Sequence, residues 1–369
     1  MNIIKAIKGL FGHKEIKAGC SKKTIIIDTY SPVSDLIMKK ELNDLGELYV
    51  KGPARGGKDD ELFDYIKSIC NKYEKLSKLD LSGVEGMGIV KEEALADCKS
   101  LNEVVLPKGV LKIDNNAFAG CTNLVKMTLP EGLERIGESA FERCENLSGI
   151  ELPQSLFRVG RDAFAGCDKI EKISLPCHVE SIGTGALKCK KLKEITVEAH
   201  NPSYISREGN LYSRNGSALI IYALGKPENE FTIPEDVAKI GEYVFADSRL
   251  KKVNITKHVN IIGKNAFMNC DEMEEIKIPQ NVERIDNEAF MNCKNLRKIE
   301  LATGVNSIGD KAFADCAMLE NINIPATVMK LGDEALANCT SLQDVKLPTS
   351  IQYMGQNVLK GTPAEKNQA

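Results

Sequence analysis

Apolar residues along the chain fall into one short figure that returns at a fixed interval. In residues 124–144, Leu124, Met127 and Leu129 precede Pro130, Leu133 and Ile136 precede Gly137, and Ala140-Phe141 precede Cys144. The Ala-Phe pair, or a close substitute, marks the phase. Ala94-Leu95, Ala117-Phe118, Ala140-Phe141, Ala163-Phe164 and Ala186-Leu187 are spaced by 23 residues. A second run holds Val244-Phe245, Ala266-Phe267, Ala289-Phe290, Ala312-Phe313, Ala335-Leu336 and Val358-Leu359; its first interval is 22 and the rest are 23. Eleven copies at one period are not chance. They predict a stacked array of small units.

Each part of the figure has a physical reading. The stretch 124–130 is too short for a helix, and Met127 and Leu129, two residues apart, share one face of a strand. Pro130 ends that strand, because it has no N–H to continue a ladder. Gly137 and its equivalents Gly160, Gly183, Gly241, Gly263, Gly309, Gly332 and Gly355 are expected to allow a tight turn. The segment after each, such as 138–144, is expected to form one or two helical turns. Its Ala lets the segment approach the core and its Phe fills the space between coils. One unit cannot bury its own apolar face, whereas stacked units share a continuous core.

A period of 23 lies in the leucine-rich-repeat range. The frame Ile-Pro-Gln-Asn-Val-Glu-Arg-Ile-Asp-Asn-Glu-Ala-Phe-Met-Asn-Cys-Lys-Asn-Leu, Ile278 to Leu296, resembles the BspA-like leucine-rich-repeat family, a bacterial leucine-rich-repeat subtype. So do the segment from Asn201-Pro-Ser-Tyr204 to Gly225-Lys226 and the opening stretches Leu48–Pro53 and Leu79–Ser82. The resemblance covers about residues 30–361. It implies a right-handed solenoid in a family of mostly surface-exposed binding and adhesion proteins. The expected fold class is therefore an α/β repeat solenoid, with a parallel β-sheet and an N-terminal α/β cap.

The expected organisation is a basic leader at 1–23, a cap at 24–75, a solenoid at 76–361 and a tail at 362–369. The 58-residue gap between Ala186 and Val244 interrupts the array, with a hairpin insertion at 198–230. Asn215-Gly216 stands between two apolar runs there, a strong hairpin signal. The insertion reads either as an alternative coil that keeps the solenoid continuous or as a projecting recognition loop. In the cap, Leu62, Phe63, Ile66, Ile69, Cys70, Tyr73 and Leu76 form one helical face. That helix is expected to cover the open end of the array.

Composition narrows the function classes. The chain of 369 residues is 43% hydrophobic and 27% charged, with a net charge of −3. This excludes general disorder, and no global field favours nucleic acid. Trp is absent and His numbers 4, which disfavours stacking surfaces and histidine-rich metal sites. No apolar stretch is long enough to span a membrane as a helix. Met1 to Lys23 holds six Lys and one Glu, and its apolar residues are interrupted by charge. The absence of a secretory leader points to the cytoplasm, or to the cell surface if the start is misassigned. Lys17-Ala-Gly-Cys20 is a poor lipoprotein box. Ile3, Ile4, Ile7, Leu10 and Phe11 recur at helical spacing beside Lys5, Lys8 and Lys14, a pattern suited to weak contact with an anionic membrane surface.

Candidate chemistry is sparse. Nine of the 12 Cys share one repeat phase: Cys98, Cys121, Cys144, Cys167, Cys189, Cys270, Cys293, Cys316 and Cys339. Equivalent Cβ atoms in adjacent coils would lie about 4.8 Å apart, beyond the usual disulfide separation. The set reads as a ladder of buried thiols. Cys177-His178 with Cys189 is the nearest approach to a metal cluster, across two turns. Gly52–Asp59 nearly fits a phosphate loop, but Asp59 replaces the magnesium-holding hydroxyl. His178 and His258 share a repeat phase, His13 and His200 lie elsewhere, and no nucleophile–base–acid set emerges. No cofactor is expected. The strand positions facing away from the core form the best candidate surface: Val105, Thr128, Glu151, Ser174, Thr196, Asn254, Lys277, Glu300, Asn323 and Lys346. A flanking column carries alternating charge. The expected function is a noncatalytic protein-interaction module with an unknown protein ligand. It would serve as a cell-surface adhesin if exported, or otherwise as an intracellular scaffold.

Overall fold

A computed structural model describes residues 23–28, 45–53, 59–72 and 75–367. The basic segment before Lys23, Cys20 within it, and residues 54–58 of the near-phosphate loop lie outside the described residues. The chain forms two compact units, 1–203 and 204–369.

The first unit opens with parallel strands Lys23–Asp28, Leu45–Pro53 and Lys78–Glu85. Helix Asp59–Lys72 joins the last two. Leu62, Phe63, Ile66, Ile69 and Cys70 on its apolar face are buried. The Lys67 ammonium donates to the Glu93 carbonyl at 2.8 Å, tying the helix to the first coil. The sheet continues in parallel through Glu103–Val105 and Lys126–Thr128. Met127 is buried while Lys126 and Thr128 are exposed, the alternation expected of a half-buried strand.

Each coil contributes a second, shorter strand. Ile89–Val90, Lys112–Ile113, Arg135–Ile136, Arg158–Val159 and Ser181–Ile182 form a second parallel sheet. A two-residue strand has no alternation to read, so only one strand per coil was expected. Near the end of this unit Asn201 is fully buried. Its amide donates to the carbonyls of Pro176 and Val179 at 3.0 and 2.9 Å.

The second unit repeats this plan. Tyr204–Arg207, Asn210–Ser213 and Ala218–Ile221 form an antiparallel meander, and the last strand pairs in parallel with Lys239–Ile240. The hairpin around Asn215-Gly216 is thus built into a nine-stranded sheet that ends at Tyr353–Met354. The other face carries Glu230–Thr232 with Lys252–Asn254, and a separate four-stranded sheet from Glu275–Ile278 to Asp344–Lys346.

The segments after the glycines are not helical. They are successive turns with a left-handed residue at both ends of the Ala-Phe pair. Ser139 and Arg143 have φ of 51° and 59°, and Glu288 and Asn292 have 58° and 61°. The alternation aims every second N–H at the next coil. Ser139, Phe141 and Arg143 donate to the carbonyls of Arg161, Ala163 and Ala165 at 2.7–2.8 Å. A helix would have kept those bonds within its own turn. The left-handed cost, about 1–2 kcal/mol per residue, is offset by this third ladder. Side chains add to it: Asn292 Nδ2 donates to Asn269 Oδ1 at 2.6 Å and Asn338 Nδ2 to Asp315 Oδ1 at 2.9 Å.

The repeated glycines also differ from expectation. Gly137 and Gly309 are absent from the positive-φ residues, so turning is not their role. A Cβ on Gly137 would lie 2.6 Å from the carbonyl carbon of Asp114, and one on Gly309 2.5 Å from the Asn287 nitrogen. These glycines allow coils to approach.

Between coils the Phe rings stack. Phe141 lies 5.2 Å from both Phe118 and Phe164 with planes nearly parallel. In the second unit Phe267 and Phe290 are 4.8 Å apart. All of these rings are fully buried.

Phe141→Ala and Phe290→Ala should each destabilise by about 3–5 kcal/mol; thermal melts that barely shift would refute the stacked core. Gly309→Ala should cost about 1–3 kcal/mol through overpacking. Gly149→Ala, where an added Cβ meets nothing within 4 Å, should melt like the parent chain.

Candidate binding surface

In the first unit Thr128, Glu151, Ser174 and Thr196 are exposed and Val105 is half-buried. In the second, Lys277, Glu300, Asn323 and Lys346 are exposed and Asn254 is half-buried. All but one lie on strands. Glu151 does not: its coil meets the sheet only through an isolated bridge between Lys126 and Gly149. Gly149 has no side chain to pack on a pleated face, which weakens the strand.

Charges on the flanking column pair with one another. Glu103 lies 3.5 Å from Lys78 and 3.7 Å from Lys126, and Lys172 lies 2.7 Å from Glu194. In the second unit Lys298 and Glu300 are 2.6 Å apart on one strand. A hydrogen bond and the opposite charge raise the Lys298 ammonium above its ordinary value and hold Glu300 below the usual carboxylate range. These pairs are exposed, so they contribute little to stability. Each pair cancels its own charges at contact distance.

A cavity opens on the sheet face of each unit. In the first unit the break at Gly149 leaves a cavity of about 280 Å³. Glu151, Ser174 and Thr196 line it, with Lys172, Glu194 and Glu198. In the second unit Lys252–Asn254 and Glu275–Ile278 belong to different sheets. The cavity there, about 330 Å³, is lined by Asn254, Lys277 and Glu300 with Lys252, Glu275 and Lys298. Val105, Thr128, Asn323 and Lys346 line neither cavity. The glycine at 149 could have flagged the first break. Lys252–Asn254 and Glu275–Ile278 keep the ordinary alternation, so the second carried no such signal.

The phased cysteines are buried and none is disulfide-bonded. Most of their thiols donate to a Phe carbonyl of the preceding coil: Cys144 to Phe118 and Cys167 to Phe141 at 3.1 Å, Cys293 to Phe267 at 3.0 Å. Burial pushes the Cys270 and Cys293 thiols well above the ordinary range. This removes the thiolate needed for nucleophilic attack.

Cys177 is half-buried, with its sulfur 3.3 Å from His178 Nδ1. The same Nδ1 lies 3.1 Å from the Gln154 carbonyl. A carbonyl only accepts, so that bond places the proton on Nδ1. A protonated Nδ1 cannot take the thiol proton, and the pair is not a nucleophile–base dyad. His258 Nδ1 is 3.0 Å from Glu235. Among the described residues no group of three or more His, Cys, Asp or Glu could hold a metal ion. Among them, too, no helix is long and apolar enough to cross a membrane.

The family model described as BspA type leucine rich repeat region matches six copies, over residues 88–210, 226–273 and 260–367. No curated protein matches the chain. Among solved structures, a leucine-rich repeat protein from Eubacterium ventriosum is 22% identical, with a TM-score of 0.65. The match covers 93% of this chain and 91% of that one. A leucine rich cell surface protein from Faecalibacterium prausnitzii is 24% identical over 92% and 88% of the two chains, with a TM-score of 0.54. The pneumococcal vaccine antigen PcpA is 18% identical over 95% and 84%, with a TM-score of 0.52. At these identities the likeness is one of fold.

A thiol reagent should label Cys177 in the native protein and leave the phased cysteines unlabelled until denaturant is added. Mass spectrometry that found disulfides between adjacent ladder positions would overturn this assignment.

Proposed function

Because this chain belongs to the BspA type leucine rich repeat family, we propose that it is a noncatalytic protein-interaction module that binds a protein ligand through its exposed sheet faces. Leucine-rich-repeat solenoids are typically non-enzymatic and generally serve as interaction or surface modules. The observation that carries the reading is the pair of open cavities in otherwise continuous sheet faces. Each offers half-buried apolar residues beside a rim of Lys and Glu: Leu152 in the first unit, Ile255 and Pro279 in the second. Such a surface suits a polypeptide with alternating charge and small apolar side chains. It lacks the Trp, Tyr and Arg anchors of tight interfaces, so affinity rests on shape and on rearranged ion pairs.

Peptide display against the full chain tests the proposal. Selected ligands should bind at least tenfold more weakly to Lys277→Glu in the second unit or to Lys172→Glu in the first. Glu272→Lys, at an exposed turn, should bind them as the parent does. Ligands indifferent to both sheet-face reversals would sink the reading. An impermeant label applied to intact cells then separates the two settings: labelling before lysis supports a surface adhesin, and labelling only after lysis an internal scaffold.

A further inference from the structure

The short strands of the first unit carry cations in register. Lys112 pairs with Arg135, and Arg135 with Arg158, along one parallel sheet. Neighbouring strands lie about 4.8 Å apart, and like charges facing each other across strands are destabilising. The equivalent sheet of the second unit avoids this, because Ile261 and Ser307 separate Lys239, Arg284 and Lys330.

The fold also withholds the counterions. Two residues after Lys112 and Arg284 stand Asp114 and Asp286, whose carboxylates lie 3.2 and 2.8 Å from those cations. Two residues after Arg135 and Arg158 stand Gly137 and Gly160. A Cβ on Gly160 would lie 2.4 Å from the Gly137 carbonyl carbon, so the stacking of coils leaves no room there for a side chain. Among the described residues no carboxylate lies within ion-pair distance of Arg135 or Arg158, and neither guanidinium donates a hydrogen bond. Arg158 is exposed, and the Arg135 guanidinium lies 4.9 Å from the centre of the half-buried Phe157 ring. On the coils before them Leu111 and Ile89 are 48% and 44% exposed.

We propose that this column binds an acidic peptide, with carboxylates on Arg135 and Arg158 and apolar side chains on Leu111 and Phe157. Charge complementarity names the occupant. Guanidinium forks with unused donors match carboxylates two bonds at a time, and carboxylates brought from outside relieve a repulsion that the coils themselves cannot. Exposed Glu134 and Glu180 adjoin the column in sequence. They repel a surface or polymer of continuous negative charge, whereas a peptide can set its carboxylates at the two Arg alone. The site supplies the Arg and aromatic anchors that the cavities lack. Its residues line neither cavity, so it stands or falls apart from them.

Fluorescence anisotropy of a labelled Glu-Leu peptide with the full chain tests this. Binding should weaken at least tenfold with Arg135→Gln, with Arg158→Gln, and with a peptide carrying Gln in place of Glu. Arg284→Gln, where the cation is already neutralised, should bind as the parent does. Arg158→Glu should abolish binding yet melt no lower than the parent, because it places opposite charges in register; a merely structural arginine would lose both. A peptide that fails to bind the parent, or that both Arg→Gln variants retain, overturns the proposal. So does flotation on phosphatidylserine vesicles that needs the two Arg while the peptide stays free, which would assign the column to lipid.

Discussion

A buried carbonyl oxygen has two lone pairs, and in these coils the Phe carbonyl uses both. Phe141 O accepts the Cys144 N–H of its own turn and the Cys167 thiol of the next coil, each at 3.1 Å. Phe267 O does the same with Cys270 and Cys293. One atom therefore joins the local turn to the stacking of coils. An unsatisfied group there would cost about 1–3 kcal/mol. The residue that donates must be small, apolar and able to give a proton, which describes a thiol. At the two ends of the second unit's ladder the same phase holds Ser248 and Thr362, whose hydroxyls bond elsewhere. Thr362 Oγ1 donates to Leu359 O at 2.7 Å, and Ser248 Oγ lies 3.5 Å from the Cys270 sulfur. The spacing fixed by this bond sets the Phe stacks on one side and the strand registers on the other.

The array and its inward residues were legible because burial repeats. A fully buried Phe or Ile at one phase in every coil leaves a pattern that no other fold class shares. What escaped reading was decided by backbone direction. Ser139, Arg143, Glu288 and Asn292 share no side-chain chemistry that marks a left-handed residue, so a helical turn was the simpler expectation. The glycines at 137 and 309 gave a true signal with the wrong cause: turning and close approach both ask for a missing Cβ. The outward columns were identified from alternation alone, and the structure exposes most of them. Alternation carries no information on ladder continuity, and hence none on the two cavities or on the loss of Glu151 from the strand.

The sheet faces divide two tasks between charge and shape. Lys172 with Glu194, and Lys298 with Glu300, cancel one another at contact distance. What these pairs leave over differs in sign: Glu outnumbers Lys around the first cavity and Lys outnumbers Glu around the second, so a like charge placed opposite either is penalised. On the proposed reading, discrimination falls to the breaks in the ladder, at Gly149 and between Lys252–Asn254 and Glu275–Ile278. Away from the faces, burial pushes the Cys270 and Cys293 thiols well above their ordinary range, and the imidazoles at 178 and 258 lie against the Gln154 carbonyl and Glu235.

The constant period has a mechanical meaning. Within each unit a coil is bonded to its neighbours and little else, through ladders joining residues 21 to 26 apart. A load applied along a unit is thus borne by the terminal coil, and detaching it leaves the next one intact. Each release frees the same slack, 23 residues in most coils, or about 80 Å of extended chain. A tether built this way would lengthen under tension in equal steps, dissipating force coil by coil while the remaining stack keeps its surface.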